Sequence, residues 1–216
     1  MTLELNNFII EYDKEIDYID IIISTLENKV KDILEFFELD KLSKKNRVVI
    51  YTDREKYKEY LTPYVGTFRE WMCADTYDGN INLLEINEAR KCEEHKDMTI
   101  DEFTKCIIHE FVHACQQEIN ANSNGTAWFW EALATNLSGQ DYNIIDLSKC
   151  DFELLQKNFN GTPNGYYYAY TLGKYMLENY SKDRLINYIK NPRLLREEAT
   201  LIFEEVKESQ NNNLLK

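Results

Sequence analysis

Eleven residues constrain this chain more than any others: Ile107 to Gln117, reading I-I-H-E-F-V-H-A-C-Q-Q. They contain H-E-x-x-H as His109, Glu110, Phe111, Val112 and His113. On a helix, residues four apart lie on one face, one turn above each other. Two imidazoles so placed can reach one metal ion, and zinc takes neutral imidazole nitrogen well. Glu110 lies one position round the cylinder from His109, where it can reach a water at an open coordination position without being a ligand. The motif carries this meaning only on a helix, so the flanking residues decide. Thr99 to Glu102 (T-I-D-E) reads as a capping box, with a Thr hydroxyl for one orphan N–H and a Glu answering three residues on. Asp101 and Glu102 add negative charge to the first turn, where the macrodipole favours it. Apolar residues then recur at helical spacing at Ile100, Phe103, Ile107, Phe111, Ala114 and Cys115, and no Pro or Gly intervenes before Gly125.

A third ligand follows. In W-F-W-E-A-L-A, Trp128 to Ala134, Glu131 is the one metal-binding side chain. Thr126 suits a helix start and Gly139 a helix end, so Glu131 projects from the first turn or two of the next helix. Two histidines and a glutamate make a zinc set that leaves a position open for water. The bland readings are an accidental His pair and a Glu placed by the helix dipole. Against them, the chain holds 3 histidines and two are here, and a carboxylate embedded among aromatics needs a partner. Cys106, three residues before His109, could face the same ion; a small buried hydrophobe is the commoner role for a cysteine.

His109 to His113 followed by W-x-x-E-A-L-A resembles the gluzincin metallopeptidases, and most closely the bacterial peptidase-MA-like proteins. The motif-level similarity spans about Ile107 to Ser138, with a looser one from Arg47 to Tyr188. It implies a zincin-like α+β fold: a small mixed sheet whose antiparallel edge strand packs on the H-E-x-x-H helix, followed by a mainly helical C-terminal half. It implies one Zn2+ held by His109, His113 and Glu131, with Glu110 as the water-activating base. Four residues past the third ligand, many relatives carry an acid that orients the first histidine. This chain has Thr135, whose hydroxyl gives weaker support. The resemblance also implies an oxyanion donor from the tyrosine-led helix Tyr166 to Leu177; Tyr166 is favoured, then Tyr170 and Tyr168. It places Asn80 to Ile86 as the short edge strand walling the cleft, where an extended peptide could add as a further strand.

The remaining sequence fits one domain over 1–216, with a sheet-containing half to residue 98 and a helical half from residue 99. At 44% hydrophobic with 7 Gly and 3 Pro, the composition suits a helix-rich globule. Phe8 to Tyr12 and Arg47 to Thr52 read as strands, and the span from Lys14 to about Leu39 as a long amphipathic helix. That order predicts parallel pairing across a crossover. Thr52 to Glu55 reads as a second capping box, opening a helix that stops before Pro63. Glu70 to Ile86 reads as a hairpin about Asp78-Gly79. His95 sits in a charged connection and reads as solvated. Asn158 to Gly165 has the composition of a mobile turn beside a cleft. Ser181 caps a helix ending before Pro192, a last helix runs from Leu194 to Glu208, and the tail reads as frayed.

A net charge of -13 argues against a nucleic-acid partner, since phosphate binding needs a basic face. No stretch reaches the roughly eighteen apolar residues of a membrane span. The N-terminus M-T-L-E-L-N-N lacks the pattern of a secretory leader, and 5 cysteines without paired spacing fit reduced thiols. A cytoplasmic protein is expected. The expected activity is zinc-dependent hydrolysis of a peptide or protein substrate. An endopeptidase is favoured because no G-x-M-E-N-type segment precedes the zinc helix. Two other readings compete: a cytosolic regulatory protein whose peptidase-like site binds or selectively cleaves one partner, and a zinc-stabilised structural domain.

Overall fold

The computed structural model describes residues 1–77 and 80–212. It divides into two compact units, Met1–Cys115 and Gln116–Lys216. The first contains β1 (Thr2–Glu4), β2 (Phe8–Tyr12), α1 (Ile19–Phe36), β3 (Asn46–Tyr51), α2 (Arg54–Val65), β4 (Ala74–Tyr77), β5 (Asn80–Leu84), α3 (Ile86–Ala89) and most of α4 (Ile100–Ile119). The fold is α+β, with one small mixed sheet in the order β1-β2-β3-β5-β4. Strands β2, β3 and β5 run parallel, joined through α1 and α2, while β1 and β4 lie antiparallel at the two edges.

The sheet has two apolar faces, and alternation along each strand assigns residues to them. On one, Phe8, Ile10, Val48, Ile50, Ile81 and Leu83 are buried, and the Phe8 ring meets Phe111 of α4 at 5.2 Å between centroids. On the other, Tyr57 and Leu61 of α2 cluster with Leu84 and Ala89, flanked by Tyr51, Tyr60, Phe68 and Met72. Each fully buried large apolar side chain stabilises the unit by roughly 1.5–3 kcal/mol.

Several expectations need correction. Asn80 to Ile86 is not an edge strand: β5 pairs with β3 on one side and β4 on the other, and its apolar residues are sealed from water. The antiparallel edge near α4 is β4, and the chain after Leu84 turns into α3. The Asp78-Gly79 turn lies outside the described residues. Helix α1 starts at Ile19 rather than Lys14, because Ile16 and Tyr18 are buried and the Tyr18 hydroxyl donates to Glu85 at 2.7 Å. These tertiary contacts outweigh helical propensity in the preceding turn. Asp53, not Thr52, caps α2, accepting from the N–H groups of Glu55 and Lys56; Thr52 instead donates to Asp13. Pro63 lies within the last turn of α2, and Gly66 at φ 73° ends it. His95 is half-buried rather than solvated, its Nε2 2.7 Å from the Trp71 carbonyl.

The second unit is helical: the end of α4, then α5 (Ala127–Leu137), α6 (Phe152–Lys157), α7 (Gly165–Asn179), α8 (Lys182–Lys190) and α9 (Pro192–Asn211). Ser181 caps α8 as expected, accepting from the Arg184 N–H. Pro192 opens α9, where a missing N–H costs nothing. That helix continues through the segment expected to fray, as far as Asn211; residues 213–216 lie outside the described residues. The Asn158–Gly165 segment is tied down locally, with Gly161 donating to the Asn158 side chain and Thr162 to the Asn158 carbonyl.

Helices α5 and α7 approach closely at Gly173. A Cβ there would stand 2.4 Å from the Ala132 carbonyl oxygen and 2.6 Å from Asn136 Nδ2. Asn136 fills the same contact, donating to the carbonyls of Ala132 and Tyr170 at 2.8 and 3.1 Å. We expect Gly173→Ala to force α5 and α7 apart, at the ~1–3 kcal/mol typical of overpacking. A thermal melt should show a midpoint lower by about 2–10 °C with helical circular dichroism retained. An unchanged midpoint would show that the close approach is not needed.

Candidate metal centre

The expected helix forms, and the box at its start is present. The Thr99 N–H donates to Glu102 Oε2 at 2.7 Å, and the Glu102 N–H donates back to Thr99 Oγ1 at 3.2 Å. Two turns on, α4 carries His109 and His113 on one face. Their Nε2 atoms face each other at 3.0 Å, with the rings inclined at 80°. On α5, Glu131 sits after one turn, half-buried in the run of Trp128, Phe129 and Trp130. Gln116 of α4 donates to the Trp130 carbonyl at 3.1 Å, beside the peptide that begins Glu131.

The three nominated ligands come together: ligand atoms of His109, His113 and Glu131 all lie within 4.8 Å of one another. This group could hold a metal ion. Two nitrogens bound at about 2.0–2.1 Å to one tetrahedral ion would stand roughly 3.3 Å apart, close to the observed Nε2 separation. Two imidazole nitrogens and one carboxylate oxygen form a mixed N/O donor set of the kind that divalent metals such as zinc accept. No cysteine belongs to the group among the described residues, and none of the five cysteines is in a disulfide.

Glu110 stands beside the group in sequence but is not part of it. It is 8% exposed, and its Oε2 accepts from Thr76 Oγ1 of β4 at 2.5 Å. Nothing in the sequence marked Thr76 as a partner of Glu110, since it is one hydroxyl in a short alternating strand. Thr135 is fully buried and gives its proton to its own helix, donating to the Glu131 carbonyl at 2.7 Å. The hydroxyl is therefore held by the carbonyl of Glu131, the third residue of the group.

Of the tyrosines at the start of α7, Tyr168 is buried, and Tyr166 and Tyr170 are half-buried. Both half-buried rings gather around Tyr142, which stacks on Tyr166 and tilts against Tyr170 with centroids 6.4 and 5.8 Å away. Phe159 closes the other side of Tyr166. Burial, then the charges of Asp141 and Glu178, push the Tyr170 hydroxyl above its ordinary range, so it stays a donor. Tyr142 lies in an irregular segment with no periodicity to mark it.

Asp75 is a second titratable group that the sequence did not single out. It accepts from Tyr57, Tyr60 and Asn82 at 3.2, 3.4 and 3.3 Å. Burial first, and the Glu110 charge second, raise its carboxyl to about 7, against those hydrogen bonds.

No protein-family model matches the chain, and a search of curated proteins finds no relative. Among the described residues, no helix is long and apolar enough to cross a membrane.

The Asp75 environment sets a sign for pH dependence. An Asp in the unfolded chain titrates near 3.9, so the folded state holds this proton to higher pH. That support for folding is complete below the unfolded value and is lost as pH rises through about 7. Urea unfolding of metal-free protein should show stability falling from pH 5 to pH 8 more steeply for wild type than for Asp75→Asn. Parallel curves would contradict this.

Proposed function

We propose that this protein is a zinc-dependent peptidase of the gluzincin type. The observation that carries the reading is the convergence of His109, His113 and Glu131 within 4.8 Å, with Glu110 next to His109 in the chain and outside that group. Zinc held by such a set supplies Lewis acidity, which lowers the pKa of water toward neutrality and polarises a carbonyl.

The chain's own residues do the rest. The Glu110 carboxylate takes the proton of the water that attacks a peptide carbonyl and passes it to the leaving amine nitrogen. A tyrosine hydroxyl at the start of α7, from Tyr166 or Tyr170, donates to the carbonyl oxygen as it gains charge, which is worth about 10²-fold or more in rate. The substrate is a peptide or protein, and endopeptidase action is the favoured mode. A structural zinc site would fill all four positions with protein ligands, often cysteine; the group here supplies three and no cysteine.

The decisive comparison is wild type against Glu110→Gln on a diverse peptide library read by mass spectrometry, with bound metal measured in both. Each should hold one zinc per chain, and the variant should lose about 10²–10⁴-fold in cleavage. A variant that cuts as well as wild type would remove Glu110 as the base. Zinc in both with cleavage by neither would favour a regulatory protein that binds one specific partner.

A further inference from the structure

We propose that Thr76 is the positioning residue for Glu110, and that the register of edge strand β4 exists to put a neutral hydroxyl against that carboxylate. The inference rests on the peptidase reading for its consequence, though not for its geometry.

The geometry begins with alternation. In A-D-T-Y, β4 sends Asp75 and Tyr77 toward α2: Asp75 accepts from Tyr57 and Tyr60, and the Tyr77 ring lies 4.1 Å from that of Tyr64. Thr76 points to the opposite face, where its Oγ1 lies 2.5 Å from Glu110 Oε2 and 3.1 Å from the Glu110 main-chain oxygen. A hydroxyl has one proton to give, and the charged, closer acceptor takes it. Oε2 is therefore engaged by the protein, while among the described residues no hydrogen bond engages Oε1, the oxygen we assign to proton transfer.

The register is pinned. Thr76 pairs with Ile81 and Asp75 with Asn82; Ile81 is fully buried, and Asn82 donates to Tyr60 at 2.6 Å and to Asp75. A slip by one residue would exchange the faces of the whole strand. It would set Asp75 or Tyr77 against Glu110, giving a carboxylate facing a carboxylate or a ring too large for the site. Glutamate also has three side-chain torsions to lose, and a base must sit within hydrogen-bond reach of the proton it takes. A fixed partner for one oxygen removes that freedom before substrate arrives, which is what positioning contributes to rate.

The test compares wild type, Thr76→Ser and Thr76→Val, with Thr76→Ala in place of the valine variant should that one fold poorly. Crystal structures report the Glu110 conformers, and zinc content and peptide-cleavage kinetics are measured on the same preparations. Thr76→Val should lower kcat by about 10–100-fold with KM and zinc content close to wild type, and Glu110 should spread over several conformers. Thr76→Ser should restore both the rate and the single conformer. Wild-type kcat in Thr76→Val, or one unchanged Glu110 conformer there, would overturn the proposal. Should no variant cleave any peptide, the conformers alone decide. Order in wild type with disorder in Thr76→Val would then sustain the positioning role while the peptidase reading falls.

Discussion

On α4, His109 and Glu110 are 7% and 8% exposed, while Ile107, Phe111 and Val112 around them are sealed from water. A polar stripe buried on an apolar helix loses its hydration and has to recover it from fixed partners. Much of the surrounding structure reads as a response to that demand. His109 faces His113, Glu110 faces Thr76 across from β4, and the two imidazoles share a group with Glu131. The apolar residues between them anchor the helix, with Phe111 against Phe8 of the sheet. The same few turns of helix thus carry both the core contact and two members of the candidate metal group.

What the sequence disclosed was local. The capping box at Thr99, the helix it opens, the i, i+4 histidines and the glutamate in the next helix depend on neighbours within a few residues, and each forms as expected. Parallel pairing of β2 and β3 followed from a strand, helix, strand order that leaves few alternatives. What stayed hidden was non-local. Whether β5 or β4 held the edge depended on which side of β5 the β3 strand would occupy, and N-I-N-L-L reads equally well in either place. The buried Asn82 was the available hint, since a polar side chain inside an apolar strand implies a partner such as Tyr60 or Asp75. Thr76 and Asp75 acquire meaning only when a strand and a helix far apart in sequence are brought together.

The two carboxylates near β4 illustrate how environment separates chemically similar groups. Asp75 is enclosed by Tyr57, Tyr60 and Asn82 on the α2 face and holds its proton to about 7. Glu110, on the α4 face, receives the Thr76 hydroxyl. One strand thereby keeps a second acid close to the proposed base without setting the two side chains on the same face. In the helical unit, the Gly173 contact sets α7 and its opening tyrosines at short range from α5, the helix that carries Glu131.

The central claim is that His109, His113 and Glu131 hold one metal ion, and zinc-edge X-ray absorption of zinc-loaded protein tests it most directly. The account predicts a first shell of nitrogen and oxygen alone, at about 2.0–2.1 Å, with the multiple-scattering signature of two imidazoles and loss of that signature in His109→Ala. A sulfur scatterer near about 2.3 Å would contradict it, placing a cysteine on the ion and the chemistry elsewhere.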